Sequence, residues 1–189
     1  MQVTEKHQLK INKTFSETDL LNGLYIVILH AKRTPPHIGL IVDKQYHSLT
    51  IKGHEINVSV EALIRNVSQR KIPSLFVKIK PHLTFSSLYL KEHFITTIAQ
   101  FPKVAVNVAT CLSPIKQFFE ENYAVSSDNI NYLFDLLPVL EDMELIEHST
   151  SLFIDEEHFH LPLYNLAELN KGIDKANEEA AQIKKTNQQ

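Results

Sequence analysis

The sequence predicts a single α+β domain in which an antiparallel β-sheet packs against helices. Two almost wholly apolar runs, Leu24-Tyr25-Ile26-Val27-Ile28-Leu29 and His37-Ile38-Gly39-Leu40-Ile41-Val42, are strand-sized and rich in β-branched residues. The polar turn Asp43-Lys44-Gln45 after the second run is too short for a crossover, so the next strand returns antiparallel. Over 59–68 and 86–100, apolar residues recur at helical spacing instead.

Each element has its own signal. The first twenty residues are polar, and Val3, Leu9 and Ile11 fix no period. Leu24–Leu29 and His37–Val42 read as buried strands joined by the basic turn Lys32-Arg33-Thr34-Pro35-Pro36, and a third strand covers 46–51 until Gly53 ends it. Val60, Leu63, Ile64 and Val67 make the stripe of a helix capped by Ser59. Ser74–Ile79 alternates like a strand after Pro73. Leu90, Phe94, Ile95 and Ile98 share a helical face that Pro102 closes off. Residues 103–108 form a short strand or extended loop. Thr110 then caps a helix that carries Cys111, tolerates Pro114 in its first turn and reaches Tyr123. A further helix follows Ser126-Ser127-Asp128, with Ile130, Leu133, Phe134, Leu137, Leu140 and Leu145 as its stripe and a kink at Pro138. A β segment covers 151–163. A polar helix from Asn165 frays into a mobile end over 184–189. The expected organisation is one domain over 1–164 and a polar C-terminal helix or tail over 165–189, solvated or lying over a groove.

Composition narrows the function. A formal charge of −3 gives no electrostatic case for nucleic acid or a membrane surface. The longest apolar run is strand-sized, so no integral membrane segment is expected. One cysteine cannot make an internal disulfide, and residues 1–7 lack the apolar core of a signal peptide, which together predict a cytoplasmic protein with a free thiol. With four glycines and no phosphate loop, paired CxxC or Gly-x-Ser-x-Gly elbow, nucleotide chemistry is disfavoured.

The chemistry-bearing residues are Cys111 and a subset of ten scattered histidines. Cys111 lies where a β-rich stretch meets a helix start, and a helix N-terminus favours the thiolate. His37 opens an apolar strand, and His47 lies ten residues on in the adjacent strand. The competing reading makes Cys111 a small buried hydrophobe and His37 a hydrogen-bonded structural residue. His158-Phe159-His160 places two imidazoles on one strand face, but two ligands do not complete a zinc site, and no metal is assigned.

The order of His37 in His-Ile-Gly-Leu-Ile-Val, His47 in Tyr-His-Ser-Leu-Thr and Cys111 in Thr-Cys-Leu-Ser-Pro-Ile-Lys-Gln-Phe-Phe resembles the circularly permuted papain-like hydrolases, including the lecithin retinol acyltransferase-like group. In that group a histidine strand precedes the cysteine helix. The resemblance implies Cys111 as nucleophile, His37 as its base and His47 as the group orienting the imidazole, with the Cys111 N–H as an oxyanion donor. If the hairpin slips, Ser48, Thr50 or His54 takes the place of His47. The helix opens on Thr-Cys where the group commonly has Asn-Cys. The activity implied is thiol-dependent hydrolysis or acyl transfer on a small-molecule, peptide or lipid acyl substrate, without a metal or organic cofactor. The alternative is a noncatalytic binding or assembly module on the same fold.

Overall fold

The computed structural model describes residues 7–186, with side chains to 183. Residues 187–189 of the expected mobile end, and most of the N-terminal stretch read for a leader, lie outside the described residues. The fold is α+β, built on a six-stranded antiparallel sheet in the order β5 (Gly53–Ser59), β4 (Gln45–Thr50), β3 (His37–Val42), β2 (Leu24–Leu29), β6 (Ser74–Ile79) and β7 (Ile146–Leu152).

The centre of the sheet comes from the two apolar runs. Strands β2 (Leu24–Leu29) and β3 (His37–Val42) pair with Leu29 opposite His37 and Tyr25 opposite Ile41. Both strands are apolar at nearly every position because both sheet faces are covered. Ile26, Ile28, Leu40 and Val42 face one core, whereas Tyr25, Val27 and Ile41 face another. Strand β4 (Gln45–Thr50) returns through Asp43 and Lys44, whose φ values of 47° and 67° suit a tight two-residue hairpin turn. Strand β5 (Gly53–Ser59) is an addition to the sequence reading: Gly53, with φ of 119°, starts a new strand rather than only ending the previous one. Its residues are largely exposed, so no apolar run announces it. On the other side of β2 lie β6 (Ser74–Ile79) and β7 (Ile146–Leu152).

Helix α1 (Val60–Gln69) covers one face, burying Val60, Leu63, Ile64 and Val67, and Ser59 caps it by accepting from the Ala62 N–H at 3.2 Å. The other face receives α2 (Ser87–Ala99), α3 (Leu112–Tyr123) and α4 (Leu133–Asp142), which add Phe94, Phe118, Phe119 and Leu137 to the larger core. Ser86 caps α2 through the Tyr89 N–H. Residues 103–108 settle as a loop tied by a single bridge between Ala105 and Ala109.

Two boundaries differ from expectation. Helix α4 begins at Leu133, well after Ser126, because the Asp135 carboxylate accepts from the N–H groups of Asn131 and Tyr132, both at 2.9 Å, and fixes the entry there. It ends at Asp142, and Glu144, left-handed at φ of 55°, turns the chain so that Leu145 leads into β7 instead of extending the helical stripe. The β segment therefore starts earlier, and only β8 (His158–His160) falls wholly within 151–163; it pairs with β1 (Gln8–Lys10) in a separate two-stranded sheet.

The C-terminal helix α5 (Leu166–Thr186) is docked along its first half. Asn165 and Glu168 cap its start reciprocally, at 2.9 and 3.0 Å. Ile173 is buried in the larger core, and Gly172 lies so near Pro35 that an added Cβ would meet Pro35 Cδ at 2.4 Å. No helix among the described residues is long and apolar enough to cross a membrane.

Candidate thiol–imidazole site

The ladder between β3 and β4 consists of three pairs, Leu40 with His47, Ile41 with Tyr46 and Val42 with Gln45. Residues 37–39 of β3 have no ladder partner on β4, which continues to Thr50. Gly39 lies in this interval because the Tyr46 ring fills its side-chain space; an added Cβ would come within 2.4 Å of that ring and 2.7 Å of the His47 carbonyl. Helix α3 packs on β3.

Cys111 immediately precedes α3. The N-cap position is Cys111 itself rather than the expected Thr110; one residue earlier, the Thr110 hydroxyl accepts from the Leu112 N–H at 3.2 Å, and the Ser113 hydroxyl accepts from the Thr110 N–H at 2.9 Å. The backbone N–H groups of Ile38, Cys111 and Leu112 favour the thiolate. They do not win. Burial pushes the Cys111 thiol up to about 11, against the partial offset from those amides, where the helix start alone predicts a lowered value. Cys111 is half-buried as a residue and packs at the margin of the larger core.

His37 is adjacent in sequence to Ile38, whose amide is one of these. Its Nε2 lies 3.2 Å from Ser48 Oγ, and Ser48 Oγ donates to Glu55 Oε2 at 3.1 Å. An ionised carboxylate only accepts, so the serine proton points to Glu55 and the serine lone pair accepts the Nε2–H of His37. This leaves Nδ1 as the basic nitrogen. Burial, with a smaller push from His30, lowers the His37 imidazole to about 4. At neutral pH Cys111 is therefore a thiol and His37 a neutral imidazole, and neither contributes to the other's shift.

The hydrogen-bond partner of His37 is Ser48, not His47. The face alternation explains why: His47 is opposite Leu40 and points into the larger core, where its ring meets Phe94 edge-on with centroids 6.3 Å apart. Its Nδ1 accepts the Asn57 N–H at 3.2 Å, which satisfies an amide freed by the bulge in β5. Burial, then Lys91, lowers His47 to about 4. Thr50 bonds instead to the Gly53 carbonyl, and His54 to the Phe101 carbonyl.

Glu55 and Tyr164 escape the sequence reading. Glu55 lies directly across from Ser48, a pairing that becomes visible only once β5 is recognised as a strand. Tyr164 is buried between the core and α5, meets Tyr132 and Phe134 edge-on, and has its phenol pushed up by burial and then by the nearby Cys111 sulfur. His158 and His160 are exposed on β8, His160 at 3.5 Å from the Gln8 amide. Among the described residues no group of three or more His, Cys, Asp or Glu side chains is arranged to hold a metal ion.

The arrangement defines an α+β protein with an antiparallel sheet, covered by helices, in which Cys111 starts a helix packed on the strand that opens with a serine-held His37; among the described residues no direct contact joins His37 to Cys111. Compared with known proteins, the chain matches no family model, no curated protein and no solved structure.

Proposed function

We propose that this chain is a thiol-dependent hydrolase or acyltransferase of permuted papain-like type, with Cys111 as nucleophile and His37 as base. The observation that supports it most is the His37-Ser48-Glu55 chain, which fixes one imidazole nitrogen as a donor and leaves Nδ1 as the basic one, on the strand whose Ile38 amide favours the Cys111 thiolate. In the reaction His37 Nδ1 takes the thiol proton as sulfur bonds to an amide, peptide or ester carbonyl carbon. The imidazolium, held through Ser48 to a carboxylate, then gives that proton to the leaving amine or alcohol as the C–N or C–O bond breaks. Water or another nucleophile releases the acyl group from the thioester, with His37 accepting its proton and returning it to sulfur. Because thiol and imidazole rest neutral, proton transfer accompanies attack and no ion pair is formed beforehand.

A noncatalytic binding module on the same fold is favoured by one specific feature, the burial that drives both groups to their uncharged forms. The two readings separate on incubation with p-nitrophenyl acetate followed by mass analysis of the intact chain. The hydrolase acquires an acetyl group on Cys111, and His37→Ala slows this by roughly 100-fold, the size of a general-base contribution. Equal acetylation rates in the parent chain and His37→Ala, with both folded by circular dichroism, would defeat the catalytic reading.

A further inference from the structure

Beyond the thiol site, a second concavity opens where the chain leaves β2 and where α1 ends. Its volume is about 320 Å3, and His30, Lys32, Arg33, Arg70 and Lys71 line it together with apolar Ile72 and Pro73. The fold builds it by tying two connections together: the Ala31 N–H donates to the Pro73 carbonyl at 2.9 Å, and the Arg33 N–H closes a turn on the His30 carbonyl at 2.8 Å. His30 and Lys71, from the two sides, both hold left-handed backbone at φ of 52° and 48°.

The charge is one-signed. None of the lining residues is acidic. Lys32 is neutralised by Glu156 at 3.1 Å, but Arg33, Arg70 and Lys71 have no carboxylate partner among the described residues. The C-terminal dipole of α1 accounts for cations at Arg70 and Lys71. It does not account for Arg33, which comes from the turn after β2. Arg33 and Arg70 converge closely enough that, after burial, they are the two groups holding the His30 imidazole below its usual value.

We propose that this cavity binds a small phosphorylated molecule, with the phosphate dianion held by Arg33, Arg70 and Lys71. Three unpartnered cations call for more than one negative charge, which a phosphate carries and a simple carboxylate does not. Guanidinium forks match phosphate oxygens two at a time. The volume exceeds what phosphate alone fills and leaves room for a short organic group against Ile72 and Pro73. The overall charge of −3 gives no electrostatic case for a polynucleotide. The inference is independent of any role for Cys111.

Isothermal titration calorimetry of the full chain at constant ionic strength, with glycerol 3-phosphate, inorganic phosphate and acetate, tests it. Saturable one-to-one binding of glycerol 3-phosphate is expected, tighter than inorganic phosphate, with no heat from acetate. Arg33→Gln and Arg70→Gln, both exposed positions, should each weaken it at least tenfold, whereas Lys44→Gln in the distant hairpin turn should not change it. The proposal fails if the phosphate ester gives no saturable heat, if acetate binds equally, or if the arginine variants bind as the parent chain does. Inorganic phosphate binding as tightly as the ester would replace a phosphorylated molecule with the free ion.

Discussion

Ser48 is a small residue with a large structural consequence, because its one hydroxyl both accepts from His37 and donates to Glu55. Replacing it with alanine leaves the imidazole free to rotate or change tautomer, while the strand keeps its pairing. Under the proposed chemistry Ser48 is a positioning residue. Ser48→Ala should lower the rate of Cys111 acetylation about tenfold or more, in line with the loss of an outer hydrogen bond to a reacting histidine. The pH profile supplies a readout that a merely structural role would not move: its lower limb should shift, because the imidazolium loses its link to a carboxylate. Unaltered rate and profile would place Ser48 outside the reaction. The sequence alone does not select Ser48 over His47. The two differ by one residue, and in a strand that step decides which side of the sheet a side chain occupies.

At the scale of elements, the hairpin of β4 and β5 depends on His47 in another way. Its Nδ1 completes the bulge at Asn57, and the ring has no exposed surface. An unfolded histidine takes up a proton near pH 6.5, whereas the folded one resists until about 4, so the unfolded state binds more protons between those values. Stability is full above the upper value and falls as pH drops through the interval, by about 3 kcal/mol at pH 4 for a shift of this size. His37 acts in the same direction. His47→Gln, whose amide oxygen can still accept from Asn57 but does not titrate, should flatten the dependence of urea-unfolding free energy on pH. A slope as steep as the parent's would remove His47 from the acid response.

The elements readable in the sequence were those with one dominant periodic signal. Strands β2, β3 and β6 and helices α1, α2 and α3 have continuous apolar runs or clear stripes, and Ser59 and Ser86 cap α1 and α2. Strand β5 was hidden because its residues face solvent, and the start of α4 because a carboxylate within the helix, rather than a serine before it, sets the boundary. At the site, the sequence marked Cys111 and His37, but Glu55 and Tyr164 arrive through tertiary contacts that no local spacing encodes.

For the whole molecule, α5 is part of the structure that packs on residues 34–35. Gly172 is where the helix can approach the Pro35 ring, and Ile173 anchors it beside that contact. Gly172→Ala sets two effects against each other. Alanine favours the helix by about 1 kcal/mol. The added methyl meets a rigid ring at 2.4 Å and must push helix and loop apart, an overpacking penalty of about 1 to 3 kcal/mol. We expect the second to win, giving lower stability in urea and faster proteolysis within 165–186; a more stable variant would show that α5 shifts without cost.

The sheet also has two finished edges. At one, the backbone N–H groups of Asn12 and Lys13 reach the Ser149 carbonyl at 3.1 and 3.3 Å, and the Asn12 side chain accepts from the Ser149 N–H at 3.0 Å, so the middle of β7 is occupied by the chain's own N-terminal segment. At the other, β5 carries Glu55 and bends at its bulge. A foreign strand seeking to lengthen the sheet finds its hydrogen bonds taken on one side and out of step on the other, so the fold itself guards this apolar ribbon against templated aggregation.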